Sequence, residues 1–128
     1  MEPRLSIVVP VYNEERTLPT LIDRVLAACG DLAQVVYVDD GSTDGSLAIL
    51  RGKARPRDVV LSKENGGKGS AVRAGYAKAE GAYVVVQDAD LEYDPSEIPS
   101  LLAVAEAEGL PAVFGSRRLK KQKQYAHF

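Results

Sequence analysis

Asp88, Asp90 and Glu92 are the residues of this chain most able to do chemistry. They stand at alternate positions directly after the apolar run Ala82-Tyr83-Val84-Val85-Val86. In an extended chain alternate side chains share a side, so the three carboxylates can point together; at ~7 Å and an effective dielectric of about 20, each neighbouring pair repels by roughly 2–3 kcal/mol. A cation relieves that repulsion. Hard oxygen donors with no nearby His or Cys suit Mg2+ or Mn2+, which are usually shared with a phosphate oxygen rather than caged by protein alone. From the carboxylates alone, a polar loop leaving a strand is an equal reading.

Further polar clusters recur along the chain: Tyr12-Asn13-Glu14, Asp39-Asp40-Gly41-Ser42-Thr43-Asp44-Gly45, Asn65-Gly66-Gly67-Lys68-Gly69-Ser70 and Gly115-Ser116-Arg117-Arg118. Glycines beside a helix N-terminus expose backbone N–H groups, and Lys68 adds a point charge, so the third cluster suits an anion or is a plain flexible turn. It is not a Walker A loop, because Gly67-Lys68 is followed by Gly69 and the residue five before Gly67 is Ser62. Nor is it a dinucleotide fingerprint, which belongs after the first strand, where this chain has Pro10-Val11-Tyr12-Asn13-Glu14. Ser42, Thr43 or Asp44 can cap the helix that follows them. Capping leaves Asp39 and Asp40 unexplained.

The elements that must position these residues are legible from period and punctuation. Short β-branched runs at 5–9, 34–38, 58–62, 82–86 and 111–114 read as strands. Between them lie four helices, the first carrying Leu18, Leu21, Ile22, Val25, Leu26 and Cys29 on one face and stopping at Gly30. A second short helix packs through Leu47, Ile49 and Leu50, a third runs from the Gly-rich turn through Ala79, and a fourth starts at Pro95 and carries Ile98, Leu101, Leu102 and Ala105. Five strands alternating with four helices predict an α/β fold with a mostly parallel sheet, and such sheets bind ligands outside the carboxyl ends of their strands. Every polar cluster above falls on that one edge. Acids, a lysine and an arginine converging there read as a site for a cation with a diphosphate.

Composition narrows the class. The 128 residues make one domain with a real core, and 45% hydrophobic with 27% charged residues is ordinary for a globular protein. The longest apolar runs are far short of the ~20 residues needed to span a bilayer. A single cysteine, Cys29, agrees with a reducing compartment and belongs to a buried helix face. Arg117, Arg118, Lys120, Lys121 and Lys123 concentrate positive charge at one end, so the body is more acidic than the net −2 states. An acidic body argues against nucleic-acid binding; the basic end is a solvated run or meets anionic lipid or a phosphorylated acceptor. His127, the single histidine, reads as a bystander near a terminus.

Taken together, Ser6-Ile7-Val8-Val9-Pro10-Val11-Tyr12-Asn13-Glu14-Glu15, Val38-Asp39-Asp40-Gly41-Ser42-Thr43-Asp44-Gly45, Gly67-Lys68-Gly69, Gln87-Asp88-Ala89-Asp90-Leu91 and Gly115-Ser116-Arg117 resemble glycosyltransferase family 2. Within it they look most like the polyprenyl-phosphate (dolichol-phosphate) mannosyl- and glucosyltransferases. The resemblance implies a GT-A fold, Rossmann-like, with a mostly parallel sheet flanked by helices. It also implies an inverting hexosyltransferase that takes GDP-mannose or UDP-glucose and Mg2+ or Mn2+, and delivers the sugar to a polyprenyl phosphate or other cell-envelope acceptor. Pro10, Tyr12 and Glu14 would hold the nucleoside, Asp39 the base and Lys68 the diphosphate side, with Asp40 also among the substrate-binding residues. Asp88 would contact ribose or sugar, Asp90 and Glu92 the metal, and Arg117 a donor or acceptor phosphate. Many relatives carry Gln where this chain has Glu92.

The same resemblance implies that relatives continue well past the Gly-Ser-Arg motif. Residues 1–118 are therefore expected to form the nucleotide-sugar-binding part, truncated after the fifth strand, and 119–128 a basic tail or the start of an acceptor region. The expected location is cytoplasmic, peripheral at the cytoplasmic face of the membrane, with a nucleotide-sugar and a lipid phosphate as partners. A non-catalytic module that binds nucleotide-sugar and metal is the alternative. A nucleotidyltransferase would carry a Gly-rich basic loop after the first strand, and an Asp-x-Asp phosphatase would place its aspartates there; neither fits Val11-Tyr12-Asn13-Glu14.

Overall fold

The structure is a computed structural model that describes residues 3–91, 94–109, 112–114 and 117–121, the last two stretches as backbone. Along the described chain run β1 (Leu5–Val11), α1 (Leu18–Cys29), β2 (Ala33–Asp40), α2 (Ser46–Lys53), β3 (Val59–Lys63), α3 (Lys68–Lys78) and β4 (Tyr83–Val86). A 3-10 turn at Pro95–Glu97 leads into α4 (Ile98–Glu108), then β5 (Ala112–Phe114) and β6 (Arg117–Lys121).

The sheet order is β3-β2-β1-β4-β6-β5. The first four of these are mutually parallel, with β1 at the centre between β2 and β4. Their near-continuous apolar sequences follow from burial on both faces. Leu5, Ile7, Val9 and Val11 of β1 join Val35 and Tyr37 of β2 and Val85 of β4 in one cluster, which α1, α2 and α4 cover through Leu18, Leu21, Ile22, Leu50, Ile98 and Leu102. Val8, Val36, Val38 and Val84 face the other way, against Ala71 of α3. At about 1.5–3 kcal/mol for each fully buried aliphatic side chain, these two faces supply most of the drive to fold.

On the α3 face the approach is close because the helix is poor in side chains. A Cβ added to Gly75 would lie 2.4 Å from Val8 Cγ1, so only glycine lets α3 sit this near the sheet. Gly81, ahead of β4, is pressed in the same way against the Leu5 backbone, where a Cβ would come within 2.4 Å of its carbonyl carbon.

The sheet extends past the fifth strand: β6 runs through Arg117–Lys121, antiparallel to both β4 and β5, and separates them. Leu119 pairs with Val85 and Lys121 with Tyr83, so β6 starts at the carboxyl edge of β4 and runs back along it. Arg-Arg-Leu-Lys-Lys carries no apolar alternation, so its sequence gives no strand signal. What makes it a strand is the unpaired edge that β4 would otherwise leave.

Candidate functional site

The carboxyl edge of β1, β2 and β4, with the start of α3, encloses a cleft of about 520 Å³. Its lining includes Pro10, Tyr12 and Glu14 from the loop after β1, Asp40 from the end of β2, Lys68 from the start of α3, and Asp88, Ala89 and Asp90 from the turn after β4. Tyr12, which lines the cleft, is half exposed, whereas Tyr37 and Tyr83 are buried. Of the strand-end clusters expected to converge, Tyr12 and Glu14, Asp40, Lys68, and Asp88 with Asp90 line this one cleft.

Asp39 and Asp40 divide. Asp40 lines the cleft, and its carboxylate is fully engaged: Oδ1 accepts from Lys63 Nζ at 2.7 Å and from Gly66 N at 3.0 Å, and Oδ2 accepts from Gly67 N at 3.0 Å. Asn65 Nδ2 donates to the Asp40 carbonyl at 3.1 Å. Burial pushes the Asp40 carboxyl up, but Lys63 and the two amides outweigh it and hold the group below its ordinary value. Asp39 is 2% exposed and is not among the residues lining the cleft; its Oδ2 accepts from Ser42 N at 3.3 Å, while Oδ1 is buried with no hydrogen-bond partner among the described residues.

Asp40 thereby pins the Gly-rich turn. Gly67, at φ 92°, is the cap of α3, a conformation glycine adopts without strain. No side chain caps that helix end and no acid sits in its first turn. Lys68, its first residue, reaches across to Asp88, with Nζ 2.5 Å from Oδ1. A lysine is unfavourable at the positive end of a helix dipole, so Lys68 and the helix end together concentrate positive potential beside the cleft.

The Asp88-Ala89-Asp90 turn ends on Leu91 at φ 66°, a left-handed conformation that side chains other than Gly, Asn and Asp rarely adopt. Leu91 nonetheless packs against the core, and the Thr17 hydroxyl donates to the Ala89 carbonyl at 2.7 Å. Among the described residues no group of three or more His, Cys, Asp or Glu is arranged to hold a metal ion. The two carboxylates beside the cleft fit a divalent cation that draws its other ligands from diphosphate and water, the usual habit of Mg2+. Glu92, expected as a metal ligand, lies outside the described residues, as do Gly115, Ser116 and the Arg117 side chain. The Arg117 backbone stands at the carboxyl edge, where β6 begins.

Several contributors hold the site together rather than line it. Ser42, Thr43 and Asp44, legible as helix caps, also lace the loop after β2 to the loop after β1: Asn13 N donates to Ser42 Oγ at 2.9 Å, Thr43 N to Asn13 Oδ1 at 2.8 Å, and Glu15 N to Asp44 Oδ2 at 3.3 Å. Gly45 N donates to Glu15 Oε2 at 2.9 Å and Glu14 N to Ser46 Oγ at 3.0 Å. Asp44 Oδ1 accepts from Ser46 N at 2.9 Å just ahead of α2, but the cap position itself is Gly45 and no side chain caps the helix. Lys63 passes unremarked in the sequence; the usable signal is a lysine ending a strand beside one that ends in two aspartates.

A model of the family described as glycosyl transferase family 2 matches residues 6–126. An undecaprenyl-phosphate 4-deoxy-4-formamido-L-arabinose transferase of Proteus mirabilis is 41% identical over 129 aligned residues, covering 95% of this chain and 39% of that protein. Its counterpart from Yersinia pestis is 44% identical over 126 residues, covering 93% of this chain and 38% of its own length. The chain thus spans about two fifths of the curated relatives it matches. Among solved structures, S. aureus TarS 1-349 in complex with UDP-GlcNAc superimposes with a TM-score of 0.70 at 26% identity, over 83% of this chain and 32% of that one. Glucosyl-3-phosphoglycerate synthase from Mycobacterium tuberculosis, in complex with Mn2+, UDP and glucosyl-3-phosphoglycerate, does so with a TM-score of 0.69 at 27% identity, over 85% and 42%.

Proposed function

The chain belongs to glycosyl transferase family 2, and from that premise we propose that it is the donor-binding part of an inverting, metal-dependent transferase moving a sugar from a nucleoside diphosphate to a polyprenyl phosphate. One observation carries the reading: the Asp88-Ala89-Asp90 turn, Lys68 paired with Asp88, and the uncapped start of α3 meet in a single cleft. Tyr12 and Glu14 are assigned to the nucleoside, Asp40 with Asp39 beside it in the chain to the base, and Lys68 to the diphosphate. Asp88 takes sugar or ribose, Asp90 is the metal ligand supported by Glu92, and Arg117 takes a phosphate. A uridine donor is favoured because the structural relatives hold UDP or UDP-GlcNAc. GDP-mannose, equally expected from the motifs, is the competing donor. The names of the curated relatives specify a formamido-arabinose rather than a hexose, which widens the sugar class to test.

The chemistry asks little of a general base. A lipid phosphate is already ionised at neutral pH and attacks the anomeric carbon directly, whereas a sugar hydroxyl would need a proton acceptor. Lys68 and the N–H groups at the start of α3 stabilise charge developing on the departing diphosphate. When bound at Asp90, Mg2+ or Mn2+ supplies further neutralisation of that charge. A lipid acceptor implies reaction at a membrane surface, and the cytoplasmic face is the side this reading takes; no described helix is long and apolar enough to cross a membrane.

The test is calorimetric. UDP and GDP are titrated with and without Mn2+ into the chain and into Asp90→Asn. Metal-dependent heat with UDP that is reduced at least about tenfold in affinity by the substitution is expected, and equal, negligible heats in every case overturn the reading. Because the chain spans only two fifths of its relatives, a second reading is a donor-binding module without turnover. Incubation with undecaprenyl phosphate and UDP-glucose, GDP-mannose or a UDP-linked formamido-arabinose separates the two, since binding without product favours the module.

A further inference from the structure

Thr17 occupies the N-cap of α1, a position where Thr ordinarily turns its oxygen to its own helix, yet it makes no side-chain cap hydrogen bond. Its hydroxyl has one proton to give. The Ala89 carbonyl lies 2.7 Å away, against 3.4 Å for both the Glu14 carbonyl and Glu14 Oε2, so the proton goes to Ala89, the residue between the two aspartates. Ala89 is itself buried, and Leu91 two residues on holds a left-handed φ of 66° that the chain does not adopt unaided. Something outside the turn must hold it. Thr17 is well placed for this, because Leu18 beside it is wholly buried and the Glu14 carbonyl receives both Thr17 N and Leu18 N. Glu14 in turn is tied through its own amide to Ser46.

We propose that Thr17 is a positioning residue whose hydroxyl fastens the Asp88-Ala89-Asp90 turn to the start of α1, fixing the relative placement of the two carboxylates and coupling them to the Tyr12–Glu14 loop. The bond joins the loop after β1 to the loop after β4, while Asn13, Ser42 and Ser46 join the loops after β1 and β2. Hydrogen bonds therefore link the loop after β1 both to the carboxylate turn and to the loop after β2. The consequence for cation binding rests on the donor-binding reading above; the fastening of the turn does not.

The experiment compares the 128-residue chain with Thr17→Val, which keeps the shape and removes the hydroxyl, and Thr17→Ser, which keeps the hydroxyl. Amide hydrogen exchange over residues 87–91 reads the turn directly, and a Mn2+ titration followed by electron paramagnetic resonance in the presence of UDP reads its effect on the cation. Thr17→Val is expected to speed exchange in that segment by about tenfold while core strands β1 and β2 keep their protection, and to weaken Mn2+ binding by about tenfold; Thr17→Ser restores both to within about twofold. Unchanged exchange at 87–91 in Thr17→Val, acceleration spread equally over the core strands, or no restoration by Thr17→Ser overturns the proposal. Absence of Mn2+ binding by the unsubstituted chain overturns the donor-binding reading instead, and the exchange comparison still decides on Thr17.

Discussion

Asp40 accepts hydrogen bonds at both carboxylate oxygens, from Lys63, Gly66 and Gly67, and an amide cannot replace it. Asparagine offers one acceptor oxygen and would turn a donor NH2 toward an N–H group. Asp40→Asn is accordingly expected to loosen the Gly66–Gly67 turn and weaken UDP binding by about tenfold, measured by calorimetry, since a buried donor left unpaired costs about 1–3 kcal/mol. The same substitution at Asp39, whose Oδ1 has no partner among the described residues, should disturb the turn less. At this scale the sequence pointed to acids at the strand ends and not to how neighbours divide between cleft and interior. Asp39 and Asp40 are adjacent acids in the chain, and only the strand register puts one on the cleft and one off it.

Each element brings its share of the site by a different device. β1 and β2 deliver their loops side by side because they pair in parallel register, Val11 opposite Asp39, and the loops then lace together. α3 is brought to the cleft by Gly75, whose lack of a side chain lets the helix rest on Val8 and Val38. Gly75→Ala should cost about 1–3 kcal/mol in a denaturant melt, because the added methyl must displace branched side chains in a packed sheet. It should also weaken nucleotide binding by shifting Lys68; a variant of unchanged stability would show that α3 has slack. The helices were legible from period, as the face running from Leu18 to Cys29 shows, with every member buried except Leu26, which is partly so. β6 was not legible, because backbone pairing to an open edge leaves no mark on a sequence of mostly charged residues.

Over the whole molecule, depressed carboxyls set the response to acid. Burial pushes the Asp40 and Asp44 carboxyls up, but hydrogen bonds from Lys63, Gly66 and Gly67 in one case and from Ser46 and Glu15 in the other carry both below their ordinary value; the Arg4 guanidinium holds Glu106 down across the protein surface. The unfolded chain therefore takes up protons first as pH falls. The stability these groups add is complete above the unfolded values near ~4 and drains as pH drops through the lower folded ones. Urea midpoints should stay level from about pH 7 to 5 and fall below ~4, with part of the acid limb lost in Asp40→Asn; a midpoint that rises on acidification would contradict the assignment. Sequence alone determined the α/β alternation, the central strands, and the family that the spacing of Asp39, Lys68 and Asp88-Ala89-Asp90 betrays, because period, turn chemistry and motif spacing are local properties of a chain. Tertiary structure alone decided that β6 separates β4 from β5, that Lys63 belongs to Asp40, that Lys68 reaches Asp88, and that Thr17 holds the Ala89 carbonyl. Those partners lie apart in the chain, and hydrogen bonds and charge pairs form between groups that only the packed sheet brings within about 3 Å.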